Sequence, residues 1–344
     1  MDSSEMEVPK PKIRITRNPV RLILDTDMGN DIDDALAMAM IHALQSRGEC
    51  ELLGVLSSKD NPYSAVFIDV INTFYGRGHI PVGMVRDGVT PDDRTFIRSV
   101  STAHDGGKLR YPRTHQPDNY EDAVPLLRRL LAGQPDGSVV IVMIGFSTNL
   151  AQMLETEPDK ISPLDGKALL ARKVKRVVAM AGHFADEVLK NPTLESREYN
   201  IHTDIPSAMR FFNHCTLPIT FCGYEVGVAV PISSDSIESD YSWVEHHPVA
   251  EAYRAYMPMP YDRPLWDPAA VLEAVRPGCG NFAYSPPGRV TVDEQGIALF
   301  QPESGGPHRY LKVSADAIDS SVREIAALCA QPTASRTKPT LRVT

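Results

Sequence analysis

The sequence predicts an α/β fold: an open, mostly parallel sheet with helices on both faces, finished by a small C-terminal β-hairpin and a last helix. Three observations carry this. Apolar runs of strand length alternate with helix-length segments from about residue 20 onwards, the rhythm that crossover connections impose. The strand-like runs are apolar throughout rather than alternating, as expected when both faces of a sheet are covered. Hydrophobic residues make up 42% of the 344, enough for a large core and too many for a disordered chain.

Taken in order, VRLILD (20–25) is the first strand, and DDALAMAMIHALQSRG (33–48) a helix apolar almost all round, ended by Gly48. ELLGVLSS is the second strand, and PYSAVFIDVINTFYG a helix with Pro62 at its start and Gly76 at its end, the usual asymmetry of those residues. IPVGMV is a short strand. Residues 86–119, rich in Asp, Gly, Pro and Arg, read as a long irregular segment and a lid candidate, because structureless loops of that length usually serve function. YEDAVPLLRRLLAG is a helix, SVVIVMIG a strand, STNLAQMLET a helix, VKRVVAMAG a strand, DIPSAMRFFNH a helix and LPITFCG a strand. Two more helices, Pro248–Tyr256 and DPAAVLEAV, precede the hairpin GRVTVDEQGIALF and the final helix SADAIDSSVREIAALC. A polar arm (1–19) and a basic tail (332–344) flank what reads as a single domain, 20–331.

Composition narrows the function. A net charge of −9 argues against nucleic-acid and anionic-membrane partners, since phosphate attracts the opposite sign. The five cysteines form no C-x-x-C pair and are odd in number, which fits free thiols in a reducing compartment better than a zinc site or a disulfide framework. The N-terminus has no apolar core of a signal peptide and no run reaches about 18 apolar residues, so a cytoplasmic protein is expected.

The densest chemistry is LDTDMGNDIDDALAMA, which places Asp25, Asp27, Asp31, Asp33 and Asp34 between an apolar strand and an apolar helix, at the carboxyl end where parallel sheets bind ligands. Two carboxylates about 4 Å apart repel by roughly 4 kcal/mol at an effective dielectric near 20. No Lys or Arg lies between Leu22 and Gln45, so a hard divalent cation, which takes oxygen ligands, is the simplest compensation. The EF-hand pattern does not fit, because its closing Glu would be Leu36 or Met38. Helix capping explains Asp33 and Asp34, but not all five.

These residues resemble the N-terminal signature of the nucleoside hydrolase family, calcium-dependent enzymes that cleave nucleosides to base and ribose, with two extra residues before the Asp pair. Further segments resemble the family's motifs in chain order: GVLSSKDN, IGFSTNLA, MAGHF, NPTLESREYNIHTDIPSA and LWDPAAV. The match spans about residues 20–275 and implies a Rossmann-like nucleoside hydrolase fold. By that resemblance calcium is held by Asp27, Asp34, the backbone oxygen of Thr148 and Asp267. It binds the attacking water, whose proton Asp27 takes, along with the 2′ and 3′ hydroxyls of ribose. Asp33, Asn61, Asn191, Glu198 and Asn200 are implied sugar contacts. Asp25 is a supporting residue, and Asp31 stands outside the pattern.

Glu198 and Asn200 lie two apart, so on an extended segment they would face one side. Many family members carry His directly before the last calcium Asp as the general acid; here that residue is Trp266, as in the purine-specific branch, where the indole stacks on the base and helps it accept a proton from solvent. The resemblance thus implies hydrolysis of purine ribonucleosides, with Asp27 and Trp266 as the catalytic pair. His183 can line the pocket; His104, His202 and Tyr224 are weaker candidates, and Trp243 has no motif behind it. The family's usual homodimer or homotetramer is expected. A calcium- and ribosyl-binding domain with little or no turnover, or a hydrolase of an atypical ribosyl compound, is the alternative. A haloacid-dehalogenase-type phosphohydrolase is disfavoured, because PLWDPAA lacks the Gly and second acid of that class.

Overall fold

A computed structural model describes residues 18–92, 95–116 and 119–333; residues 1–17 of the arm and 334–344 of the tail lie outside the described residues. The centre is an eleven-stranded sheet. Its principal strands are β1 (Val20–Thr26), β2 (Cys50–Lys59), β3 (Val82–Val89), β4 (Val139–Met143), β5 (Val174–Met180), β6 (Ile219–Cys222), β7 (Gly288–Val292), β8 (Ala298–Pro302) and β9 (His308–Lys312). They lie in the order β8-β7-β9-β6-β5-β4-β1-β2-β3. From β3 across to β9 every pairing is parallel, and β7 and β8 form the expected antiparallel hairpin. The sequence reading missed β9, which pairs in parallel with β6 through His308 to Tyr310 and carries the hairpin onto the sheet.

Alternate residues of one strand feed two cores. Leu22 and Leu24 of β1, with Val140 and Val142 of β4, face α1 (Asp33–Ser46) and α2 (Pro62–Phe74). Ile23, Val139 and Ile141 face the opposite layer, built on helices 123–132, 148–154 and 205–214. This is why the strands read as continuous apolar runs. Residues 33–44 of α1 are all buried, because the helix is wedged between the sheet and the helices at 266–275 and 315–329. Each fully buried Leu or Met there stabilises by about 1.5–3 kcal/mol.

The segment 86–119 is less irregular than expected. Thr95–Ser101 is a helix whose Phe96, Ile97 and Val100 are buried, with Phe96 edge-on to Tyr256 at 5.1 Å. Asp69 fastens the far end, accepting from the backbone of Thr114 and His115 at 3.1 and 2.7 Å. Five cysteines are free and all but Cys279 are buried. Among the described residues, no helix is long and apolar enough to cross a membrane.

Candidate active site

The connection after β1 runs to β2 on one side of it, and the chain later returns on the other side as β4. The carboxyl end of β1 is therefore the point where strand order reverses, and a crevice opens there. A cavity of about 360 Å³ fills it, lined by Asp27, Asn30, Asp31, Asp33, Asp34, Met180, Glu198, Tyr199, Asn200, Tyr224, Tyr256, Arg263, Trp266 and Asp267. The acidic floor comes from the loop 27–32 and the first turn of α1. Gly29 allows the turn: its φ is +109°, and a Cβ would stand 2.4 Å from Ile97 Cδ1.

Asp33 and Asp34 sit in the first turn of α1, yet the helix has no side-chain cap, so capping does not explain them. Asp34 instead accepts a hydrogen bond from the Thr26 hydroxyl, and Asp33 accepts from the backbone N–H of Asp267 at 3.1 Å. One carboxylate oxygen each of Asp33, Asp34 and Asp267 lies within 4.8 Å of the others, and all three side chains are buried. Asp34 Oδ2 has no hydrogen-bond partner among the described residues. Burial, then repulsion from neighbouring aspartates, raises all three well above the usual carboxylate range. The donor set is all oxygen, anionic and withdrawn from water, so the residues present fit a hard divalent cation.

Asp27 accepts from Asn30 Nδ2 at 2.8 Å, and burial pushes it up to about 6. Behind it, buried Lys59 donates to Asn30 Oδ1 at 2.9 Å and to the Thr90 carbonyl at 2.7 Å. Asp25 lies beneath the cavity, accepts from Asn149 at 2.8 Å and is pushed by burial up to about 8. Asp31 forms a two-pronged ion pair with Arg263.

Glu198 and Asn200 both reach the cavity, though not from an extended segment. Glu198 caps the helix Tyr199–Thr203, accepting from the N–H groups of Asn200 and Ile201 at 2.7 and 3.2 Å, and from Gly182 at 3.2 Å. Capturing orphan helix N–H groups curls the chain where alternation read it as extended. Burial still pushes Glu198 up to about 7. Asn200 donates to the carbonyls of Ile144 and Met180 at 3.2 and 3.1 Å.

Trp266 also lines the cavity. Its ring stacks near Tyr224, 5.7 Å between centroids at 29°, and its Nε1 donates to the Tyr224 carbonyl at 2.8 Å. Four implied residues are not among the cavity-lining residues. Thr148 begins its helix and donates to Asp204. Asn61 caps α2 and donates to the carbonyls of Pro91 and Asp92. Asn191 is exposed. His183 lies against the Tyr224 ring at 5.0 Å. His104 and His202 are exposed, and no described residue of 86–119 lines the cavity. Asn30, Lys59, Tyr199, Tyr256 and Arg263 escaped the sequence reading; the one available signal was a lone Lys at the end of an apolar strand.

A family model described as inosine-uridine preferring nucleoside hydrolase matches residues 22–319. An uncharacterized protein of Schizosaccharomyces pombe is 26% identical over 275 residues, covering 75% of this chain and 81% of that protein. Among solved structures, a plant nucleoside hydrolase superposes with a TM-score of 0.65 at 23% identity, over 93% of this chain and all of that one. A purine-preferring ribonucleoside hydrolase from Gardnerella vaginalis gives 0.66 at 18% identity, over 90% of this chain and 98% of that one. With the model match spanning nearly the whole sheet and its acidic crevice, the chain belongs to the inosine-uridine preferring nucleoside hydrolase family, and is a nucleoside N-ribosyl hydrolase.

Proposed function

We propose that the protein hydrolyses the N-glycosidic bond of purine ribonucleosides, with calcium held by Asp27, Asp34, Asp267 and the backbone oxygen of Thr148. The observation that carries this is one cavity lined both by buried carboxylates and by the stacked rings of Trp266 and Tyr224. A bound calcium ion supplies positive charge that lowers the pKa of water and orders ribose hydroxyls.

The chain's own groups do the rest. Asp27, held by Asn30 Nδ2 at 2.8 Å, takes the proton of the attacking water as general base. Asp33 accepts from a ribose hydroxyl, and Glu198 and Asn200 hold the other side of the sugar. As in glycoside hydrolysis, buried carboxylates favour the oxocarbenium-like sugar over the neutral one. Trp266 stacks on the departing base, worth about 0.5–1.5 kcal/mol beyond buried area, and keeps bulk water from that face. Asp25, Asn61 and His183 support the floor, the 90–92 loop and the Tyr224 ring. We extend the same reading to a cytoplasmic homodimer or homotetramer, which light scattering of the purified chain checks.

Reducing-sugar release from inosine, guanosine, adenosine, uridine and cytidine, with and without a calcium chelator, tests the reading. Chelator-sensitive release favouring purines supports it. Pyrimidine preference overturns the role of Trp266, and no release overturns the activity.

A further inference from the structure

Arg263 is the one cationic side chain lining the cavity among the described residues. Its Nε donates to Asp31 Oδ1 at 2.9 Å and its Nη2 to Asp31 Oδ2. The guanidinium carbon lies 5.2 Å from the Trp266 ring and 5.3 Å from the Tyr256 ring. Arg263 is thus clamped by an ion pair on one edge and by two aromatic rings. One of these two rings, Trp266, is the proposed stacking surface for the base.

We propose that Arg263 is a specificity-determining residue that selects 6-oxopurines, and that Asp31 is the positioning residue that holds it. The inference rests on the functional reading above and names the substrate class within it. A guanidinium has five donors and no acceptor. Hypoxanthine and guanine present two adjacent acceptors, O6 and N7, which match that fork; adenine sets an amino donor beside N7, which the fork repels. Asp31 occupies Nε and one Nη2 hydrogen, and Nη1 makes no hydrogen bond among the described residues. A phosphate-bearing substrate is a poorer fit, because six carboxylates share the cavity with this single cation. The family resemblance assigns a role to neither residue of the pair.

The test compares kcat/KM for inosine and adenosine in the wild type, Arg263→Gln and Asp31→Asn. The wild type should favour inosine by about ten- to a hundredfold, the range of one bidentate base contact. Arg263→Gln, whose amide both donates and accepts, should bring the two substrates within a fewfold of each other. Asp31→Asn should lower the ratio chiefly through KM for inosine, and should have no further effect on the ratio in the Arg263→Gln background. A ratio unchanged in a folded, active Arg263→Gln enzyme overturns the assignment.

Quenching of tryptophan fluorescence by the free bases separates this from the functional reading. Tighter binding of hypoxanthine than adenine by the wild type, lost in Arg263→Gln, supports the assignment even if no nucleoside turns over. Equal binding of both bases overturns it even if hydrolysis stands.

Discussion

Gly145 follows β4 and faces the loop that carries Asp27. A Cβ there would lie 2.3 Å from the Asp27 backbone nitrogen, 2.4 Å from Ser58 Oγ and 2.8 Å from the Thr26 carbonyl carbon, whereas ordinary contact starts at 3.4 Å. Roughly 1 Å must therefore be found. β4 cannot easily supply it, since Ile144 donates to the Asp25 carbonyl at 2.7 Å and Phe146 donates to Ser58 Oγ at 3.0 Å. The loop bearing Asp27 gives way instead. Overpacking of this kind costs about 1–3 kcal/mol of stability. A misplacement of about 1 Å at a reacting group costs on the order of 10²-fold in rate. Gly145→Ala should therefore remain folded at 25 °C with a lowered melting temperature, and lose about a hundredfold in kcat for nucleoside hydrolysis. Adding Ser58→Ala should restore little, because the tightest contact is with backbone. If Gly145→Ala stays within threefold of wild type, the tight packing under Asp27 does not set its position.

Two further outcomes follow from buried ionisable groups. Asp27→Ala should lower turnover by about 10²–10⁴-fold, the usual range for a general base, while its melting temperature in chelator holds or rises, because one buried carboxylate is removed from a repelling cluster; an active Asp27→Ala enzyme would sink the assignment. His42 is buried beside Asn72 and Arg77, and burial pushes its imidazole down to about 3 from 6.5. The unfolded chain binds that proton first, so stability contributed by neutral His42 is complete above pH 6.5 and is lost as pH falls towards 3. The loss is about 1.4 kcal/mol per pH unit. Urea unfolding at pH 7, 6 and 5 should show this slope reduced in His42→Gln, and equal slopes in the two proteins would contradict it.

The long alternation of strands and helices was legible because local period and burial on both faces leave a pattern within each segment. The aspartates at the end of β1 were legible for the same reason: their crowding is local, and no basic residue stands among them. Trp266 and Asp267 could be placed in the site only through the ordered motifs, since nothing local ties residue 267 to residue 33. Short elements escaped. The helix Thr95–Ser101 forms because Phe96, Ile97 and Val100 find a surface on the helix at 248–256, and β9 because β6 offers an open edge. Seven or five residues carry too little period of their own.

Pairing across the chain was decided only by tertiary structure. Asp31 was an unexplained charge until Arg263, 232 positions later, was found against it. Lys59 and Asn30 looked like ordinary polar residues until the fold stacked them behind Asp27. The class of fold and the acidic floor are written in the chain alone, because both depend on neighbours in sequence. Which residue answers each charge depends on packing between distant segments, and that is settled when the two layers close on the sheet.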